Sequence, residues 1–403
     1  MSGRPAFDVV IAGGGPAGST LATLLARAGR SVALCDAARF PRHKICGEYV
    51  PPAALSTFAR LGTLQEILAL GPLRHVGMAV ISPDGTEVLG RYAGAARGLS
   101  LRRHDLDRVL LEGARRSGAL VLEGTRVTAL RRVPGGGFDV SVGRSAAETV
   151  LRGRLLVGAD GRNSFVARRL GMRRPEPRHR KWAVMAHLRG GEAAADHGEM
   201  IVTPYGYCGI NPLPGGIANV CVVVEGGDLA RVAGGGSGLA GYLRDRIASH
   251  PLTRARLLGA EIAAGPWAAG PLACRAVRSV DDSVLLVGDA AGFYDPFTGE
   301  GIGMALRGAE LAAEVLAGAL RSGRSGRSAL QPYETERRRA FRSRLRLDRL
   351  LQLVLKRPGL TDWVARRLRR DPSLADLLAR AAGDTIDATQ VLRPGFLARL
   401  IMA

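Results

Sequence analysis

One stretch near the N-terminus constrains the fold more than any other. Phe7-Asp-Val-Val-Ile-Ala12 is an apolar run of buried-strand length, and it passes directly into Gly13-Gly-Gly15-Pro16-Ala17-Gly18. Ser19 to Arg27 read as a helix rich in Leu and Ala, closed by Gly29, and Ser31-Val-Ala-Leu-Cys-Asp36 reads as a second strand. This order makes a β-α-β unit with a G-x-G-x-x-G turn, the pattern of a dinucleotide site. Gly13 makes the tight turn, Gly15 lets a pyrophosphate approach the backbone, and Gly18 lets the helix pack on the strand. The helix start offers free N–H groups and the positive end of its dipole to phosphates. Asp36 follows Gly18 by 18 residues, where a carboxylate can accept hydrogen bonds from ribose hydroxyls.

The turn alone does not choose between FAD and NAD. Two later segments do. Leu155-Leu-Val-Gly158-Ala-Asp160-Gly161 is a strand ending in an Asp-Gly turn, followed by Arg162-Asn-Ser164 and a helix-like run to Leu170. Ser283-Val-Leu-Leu-Val-Gly288-Asp289-Ala-Ala-Gly292 is another buried strand, followed by Phe293-Tyr-Asp-Pro296-Phe297-Thr298-Gly299-Glu300-Gly301-Ile302 and a predicted helix from Gly303 to Leu320. An Asp at a strand end can bind a ribitol hydroxyl, and a glycine-rich helix start can aim N–H groups at a flavin ring oxygen.

In this order and spacing the three motifs resemble the flavoprotein family of geranylgeranyl reductases, flavin-dependent halogenases and aromatic hydroxylases such as p-hydroxybenzoate hydroxylase. The resemblance runs from about residue 6 to 330. Two segments look most like the geranylgeranyl reductase branch: Pro41-Arg42-His43-Lys44-Ile45-Cys46-Gly47-Glu48, and Gly288 to Ile302. Asp36 departs from the family pattern, which usually has Glu there. Leu101-Arg102-Arg103-His104-Asp105-Leu106-Asp107 resembles the family's Arg-x-x-Leu-Asp segment, and Arg103 is the position expected near the pyrophosphate. Arg126-Val127 resembles the segment whose backbone meets the adenine. The resemblance thus implies non-covalent FAD held by Gly13, Gly15, Pro16, Ala17, Gly18, Asp36, Arg42, Gly47, Arg103, Val127, Asp160, Gly288, Asp289, Gly299, Gly301 and Ile302, with NAD(P)H as reductant.

The expected fold is α/β: a Rossmann-type FAD-binding domain with an inserted, mainly antiparallel β-sheet substrate domain and a C-terminal helical region. We expect the FAD domain in residues 1–74, 98–178 and 272–330, the substrate sheet in 75–97 and 179–271, and the helical region in 331–403. His75 to Tyr92 alternates around Ser82-Pro83-Asp84-Gly85 and predicts a hairpin. Residues 232–239 are glycine-rich and read as an exposed loop. From Thr335 to Pro372 there are 13 Lys or Arg and 4 acids, with Leu347, Leu350, Leu351, Val354 and Leu355 at helical spacing. That pattern suits a helical layer packed on the flavin domain or, with an oily substrate, a membrane-surface helix.

Three segments are expected to meet at the flavin ring: Cys46-Gly47-Glu48; Pro204-Tyr205-Gly-Tyr207-Cys-Gly-Ile-Asn211; and Pro296-Phe297-Thr298-Gly299. The candidate pocket residues are Cys46, Glu48, Tyr205, Tyr207, Asn211, Pro296, Phe297 and Thr298. Arg42 and Lys44 beside Cys46 would favour a lowered thiol pKa. The chemistry is that of the cofactor, with the protein orienting the substrate. Oxygen-dependent hydroxylation of a hydrophobic aromatic or polyketide-like molecule is placed slightly ahead of C=C reduction of a prenyl or other lipid. Halogenation is disfavoured, since the only lysines before residue 200 are Lys44 and Lys181 and no Trp-x-Trp-x-Ile-Pro motif occurs. A flavin-bearing protein that binds a membrane or a partner without turnover is the reading from another class.

Charge adds less than its size suggests. Lys plus Arg number 57 against 36 acids, giving +21, yet only Lys44, Lys181 and Lys356 are lysines. Arginines are spread over most of the chain without a nucleic-acid motif, so no nucleic-acid partner is expected. The five cysteines are widely spaced without a Cys-x-x-Cys pair, which argues against a metal site or disulfide framework. No apolar run reaches the length of a transmembrane helix. We expect a cytoplasmic monomer or weak homodimer, with peripheral membrane contact as an open option.

Overall fold

The strand Ala6–Ala12 (β1) lies in the interior of a parallel sheet, between Ala147–Gly158 and Val32–Asp36 (β2). The computed structural model describes residues 6–144, 147–174, 180–226 and 238–403; most of the glycine-rich stretch 232–239 lies outside them. The strand has apolar side chains on both faces because both are covered. Val9 and Ile11 enter a core shared with the helices Pro16–Arg27 (α1) and Gly301–Arg321. Val10 and Ala12 enter a second core shared with Phe138, Val140, Val142 and Leu151. That second cover is a β-meander, Arg126–Arg132, Phe138–Arg144 and the first half of Ala147–Gly158, the last of which turns parallel to β1 from Arg152 onward. Sheet order runs 280–281, 284–286, 147–158, 6–12, 32–36, 120–123. The helix expected at Gly303 starts two residues earlier, at Gly301, and runs through Arg321.

A second sheet of seven strands is antiparallel except for one pair. Its order is Glu261–Ala269, Lys181–Arg189, Ile217–Glu225, Gly206–Leu213, His197–Thr203, Gly77–Ile81, Glu87–Arg91. The hairpin 77–91 therefore joins the strands of 181–269 although the whole stretch 92–180 separates them in sequence. Its strands alternate strictly. Val184, Ala186, Leu188, Ile201, Cys208, Ile210, Val220, Val222 and Val224 form an outer core with the helices Gly238–Ala248 and Pro251–Leu257. The other residues of the same strands form the inner face.

The C-terminal part is helical. A 29-residue helix, Arg327–Leu355 (α2), buries Leu330, Tyr333, Phe341 and Leu347. Tyr333 hydroxyl donates to the carbonyl of Leu286, tying the helix to the parallel sheet. Helices Pro358–Arg370, Pro372–Ala382 and Pro394–Met402 pack with Val88 in a separate small core. Among the described residues no helix is long and apolar enough to cross a membrane.

Candidate flavin site

The glycine turn divides into positions required by the chain and one that is not. Gly13 has φ +106, and a Cβ there would stand 2.4 Å from the carbonyl oxygen of Ala159. A Cβ on Gly18 would stand 1.8 Å from the carbonyl oxygen of Gly13, so helix and strand touch backbone to backbone. Gly15 has an ordinary φ of −73, and its Cβ would meet only Arg42 Nη2, at 3.6 Å. Nothing in the chain requires a glycine at 15; it keeps a space open in front of the helix start. Pro16 opens α1 at a position that needs no N–H, and the N–H groups of Ala17 and Gly18 head that space.

Basic side chains gather beside the turn. Arg103 makes a bidentate pair with Asp107 at 2.8 and 2.7 Å, and Arg42 meets the same carboxylate at 3.1 Å. Asp36 accepts from the N–H groups of Gly14 at 2.7 Å and Ala38 at 2.8 Å. It therefore pins the turn itself, a role beyond the ribose contact read from sequence. Val127 is buried in the meander core at the far end of the turn.

Two carboxylates remain underused. Asp160 Oδ2 accepts from Phe165 and Val166 N–H, capping the short helix Phe165–Arg169, while its buried Oδ1 has no partner. Burial pushes its pKa up. The Asp289 carboxylate makes no hydrogen bond or ion pair among the described residues, while its backbone carbonyl accepts from Cys274 Sγ. Burial raises its pKa as well, against the opposing charges of Lys44, Arg103 and Arg162. Gly288, at φ +58, brings this segment within 3.0 Å of Ala17 when measured from its Cβ position. Ile302, at the start of the Gly301–Arg321 helix, belongs to the apolar cluster against which Cys46 packs.

The Cys46-Gly47-Glu48 loop is clamped to the inner face of the second sheet. Glu48 is 1% exposed and sits at φ +56. Its Oε1 accepts from Arg103 N–H at 2.9 Å, and its Oε2 meets His187 Nε2 at 2.7 Å and Asn219 Nδ2 at 2.9 Å. Burial alone would raise its pKa; these bonds outweigh it and hold the carboxyl below its ordinary value. Asn219 also donates to Cys46 carbonyl, and Asn211 donates to Gly47 carbonyl, both at 2.8 Å. Glu48 and Asn211 thus serve as fasteners. Burial pushes the Cys46 thiol up despite Arg103 nearby, so the lowered thiol pKa expected from Arg42 and Lys44 is corrected.

A second clamp lies at the other end of the sheet. Asp295 accepts from Tyr207 hydroxyl at 2.6 Å and Phe297 N–H at 3.0 Å, and pairs with Lys181 at 3.1 Å. Phe297 stands edge-on to Tyr207 at 5.2 Å. Pro296 accepts from Gly299 N–H through its carbonyl, and Thr298 donates to Asp348. A Cβ on Gly299 would lie 2.8 Å from Tyr49. Tyr205 is not brought here. It lies in the turn before the strand 206–213, packs on the outer core and donates to the carbonyl of Arg246.

Between the clamps lies a lane that the sequence reading missed. In register across six strands run Trp267, Met185, Cys221, Gly209, Met200 and Val80. The rows on either side are buried: His187, Asn219 and Asn211 toward the loop, and Ala183, Val223, Tyr207 and Val202 toward Asp295. The lane is partly buried, with Met185 fully so, and the Met200 thioether lies over Gly209 at its centre, 3.4–3.6 Å from where a Cβ would stand. Five strand spacings of about 4.8 Å make it roughly 24 Å long. His43 stacks on Trp267 at 3.6 Å and closes one end. Period-two alternation could have put these residues on one face; their register needed the sheet order.

A family model described as an FAD binding domain matches residues 6–202 and 268–347. The chain belongs to that family. In this flavoprotein the site fits FAD by its own geometry: an open space before Gly15, an unpartnered Asp160 Oδ1, an Asp289 carboxylate without a bond, and the cations Arg42, Lys44, Arg103 and Arg162 around them. Relatives with curated names include a digeranylgeranylglycerophospholipid reductase of Methanoculleus marisnigri, 31% identical over 82% of this chain and 81% of its own length. A menaquinone reductase of Mycolicibacterium smegmatis is 32% identical over 77% of this chain and 76% of its own. Conditioned medium factor receptor 1 of Dictyostelium discoideum is 31% identical over 81% of this chain, which spans 66% of that relative's length. Among solved structures, the flavin-dependent brominase Bmp2 superposes with a TM-score of 0.82 at 23% identity, over 94% of this chain and 93% of that one. A geranylgeranyl bacteriochlorophyll reductase-like protein from Thermoplasma acidophilum gives 0.78 at 20% identity, over 96% and 99%. The flavoprotein is thus a flavin-dependent enzyme of the oxidoreductase type with the fold shared by halogenases and geranylgeranyl reductases.

Proposed function

We propose that this flavoprotein reduces carbon–carbon double bonds in a long, flexible, apolar chain of the isoprenoid-lipid kind, with NAD(P)H as the source of electrons. The observation that carries this reading is the lane from Trp267 to Val80, which is long, narrow and lined by sulfur and hydrocarbon. Met side chains adapt to an irregular flexible guest. The two reductases at 31–32% identity, each matched over about four-fifths of its length, point the same way. FAD, once reduced, supplies the hydride. The chain holds the alkene along the lane, excludes water with the Tyr207–Phe297 and His43–Trp267 pairs, and keeps a proton on Cys46 Sγ for the second carbon. Hydride and proton together add two hydrogens.

Hydroxylation of an aromatic ring, placed first from the sequence, is now placed second. Activation of a phenol needs a free base, and the carboxylates flanking the lane are already spent: Glu48 on His187 and Asn219, Asp295 on Lys181 and Tyr207. The test is turnover of a prenylated lipid by dithionite-reduced enzyme without oxygen. A product heavier by two hydrogens supports reduction. Product formed only in air, carrying label from oxygen-18 gas, replaces this reading with oxygenation. Failure of NAD(P)H oxidation across prenyl and aromatic compounds favours a binding protein without turnover.

A further inference from the structure

The long helix α2, which opens the C-terminal region, carries a polar strip that no motif in the sequence announced. Arg344, Asp348 and Gln352 follow each other at intervals of one helical turn, so they share one face. All three are buried, at 5%, 7% and 3% exposure. Each reaches a different anchor of the turn 295–300. Arg344 approaches Glu300 Oε2 at 3.4 Å and also pairs with Asp384. Asp348 accepts from Thr298 hydroxyl at 3.2 Å. Gln352 binds Lys181, which pairs with Asp295. Three anchors two or three residues apart on a loop are thus matched to three side chains one turn apart on a helix.

A strip of this kind is costly if it only packs. Buried charged and polar groups are not a cheap source of stability, and apolar side chains of equal volume would bury the same helix face as well or better. The turn it grips leads straight into the helix start at Gly301, whose first intrahelical donor is Met304, bonded to Glu300 carbonyl. The N–H groups before it are left for another partner. That helix start shares an apolar cluster with Cys46 through Ile302, while Gly288 brings the preceding segment against Ala17 of the glycine turn. The family match ends at residue 347, so Asp348 and Gln352 lie just past it.

We propose that α2 is a working part of the cofactor site: Arg344, Asp348 and Gln352 are positioning residues that set the 295–300 turn and the helix start at Gly301 against the flavin, with Asp348 acting on the cofactor through Thr298. This holds for a reductase or an oxygenase alike, since it rests on FAD binding and not on the substrate. Burial pushes Asp348 up to about 7, and its surroundings explain why it does not go further. Thr298 and the Arg344 and Arg349 guanidinium groups favour the carboxylate, while Asp295 opposes it. Glu300, Tyr207 and the Lys181–Gln352 pair complete the groups around it. Near neutral pH a carboxylate accepts the Thr298 hydroxyl, whereas the neutral acid can also donate.

The experiment uses the FAD-loaded full chain. Flavin absorbance and fluorescence are followed between pH 5 and 9 for the native protein, Asp348→Asn and Thr298→Val, with FAD content and melting temperature recorded alongside. We expect a spectral step with a midpoint near 7 in the native protein. Asp348→Asn should abolish it with FAD still bound, and Thr298→Val should abolish or at least halve it. A step that persists unchanged in both variants, or native spectra without a step in that range, overturns the proposal. If Asp348→Asn does not fold, Thr298→Val alone decides, because it removes the hydroxyl without touching a charge. Failure to bind FAD at all would overturn the family reading first, and the FAD content separates that outcome.

Discussion

Replacing Gly15 and Gly18 by Ala, one at a time, should separate a glycine kept for a ligand from one kept for the fold. At Gly18 the new carbon would stand 1.8 Å from the Gly13 carbonyl oxygen, so helix and strand must part by more than 1 Å to restore contact distance. Overpacking of that severity costs about 1–3 kcal/mol or more of stability before any cofactor is considered. At Gly15 the nearest atom is the tip of a flexible arginine at 3.6 Å, and φ is −73. The apoprotein should feel at most about 1 kcal/mol, the cost of a poorer helix cap. The FAD complex should suffer instead. If the pyrophosphate meets the N–H groups of Ala17 and Gly18 as proposed, the methyl would stand in its place, and losing one hydrogen bond to a charged acceptor costs roughly 1.5–3 kcal/mol, about 10- to 100-fold in affinity. The assay is chemical unfolding of flavin-stripped protein beside fluorescence titration with FAD. Gly15→Ala should unfold like the parent and bind FAD weakly; Gly18→Ala should unfold early. The reasoning fails if Gly15→Ala binds FAD normally, or if both variants destabilise the apoprotein equally.

Other outcomes follow from the same geometry. Asp289→Ala should weaken FAD binding by about 1–3 kcal/mol with little effect on apoprotein stability, because the carboxylate has no bond within the chain to lose; calorimetric titration checks both. Gly209→Phe should fill the centre of the lane and cut turnover of a long substrate at least tenfold while FAD content stays normal, and an unchanged rate would remove the lane from the site. Burial pushes Asp348 from the ordinary carboxylate range up to about 7, so between the two the folded chain binds a proton that the unfolded chain does not, and its contribution falls as pH rises. Asp348→Asn should therefore gain stability over the parent on going from pH 5 to pH 8, by at most about 2.7 kcal/mol; a gain that shrinks with pH would show the sign to be wrong.

The parallel-sheet half of the protein was legible because its signals are local. Strand, glycine turn and acid lie within Phe7–Asp36, and each glycine's duty follows from backbone sterics, as Gly13 and Gly18 show. The hairpin at 77–91 was legible from alternation and a turn, although its partner strand at 197–203 was not. The site's interior was hidden for a different reason. Glu48, an apparent pocket carboxylate, spends both oxygens on Arg103, His187 and Asn219, all remote in sequence. Tyr205 and Tyr207 sit two residues apart, yet the turn at 204–205 sends the first to the outer core. Cys46 looked activated by neighbouring cations, but desolvation dominates a thiol once the sheet closes over the loop. Such outcomes depend on long-range register, which one strand's pattern does not contain.

The charge surplus of the chain takes on meaning only at one place. Much of the arginine excess lies on the outer surface, where pairs such as Arg116 with Glu66 or Arg366 with Asp84 are exposed and contribute little. Beside the glycine turn the situation reverses. Arg42 and Arg103 share the carboxylate of Asp107, which is 0% exposed, and Arg42 also lies 3.9 Å from Asp36. Lys44 and Arg162 face Asp289 without an ion pair to it. Arg42, Lys44, Arg103 and Arg162 gather in a shielded crevice where water screens charge poorly, and a cofactor pyrophosphate carries the complementary charge. The same crevice receives the helix start at Pro16, so backbone dipole and side-chain charge act in the same direction. A composition that says little when averaged over the whole chain thus becomes specific where the fold withdraws the counter-charges, and the residue that keeps the space for the anion is Gly15.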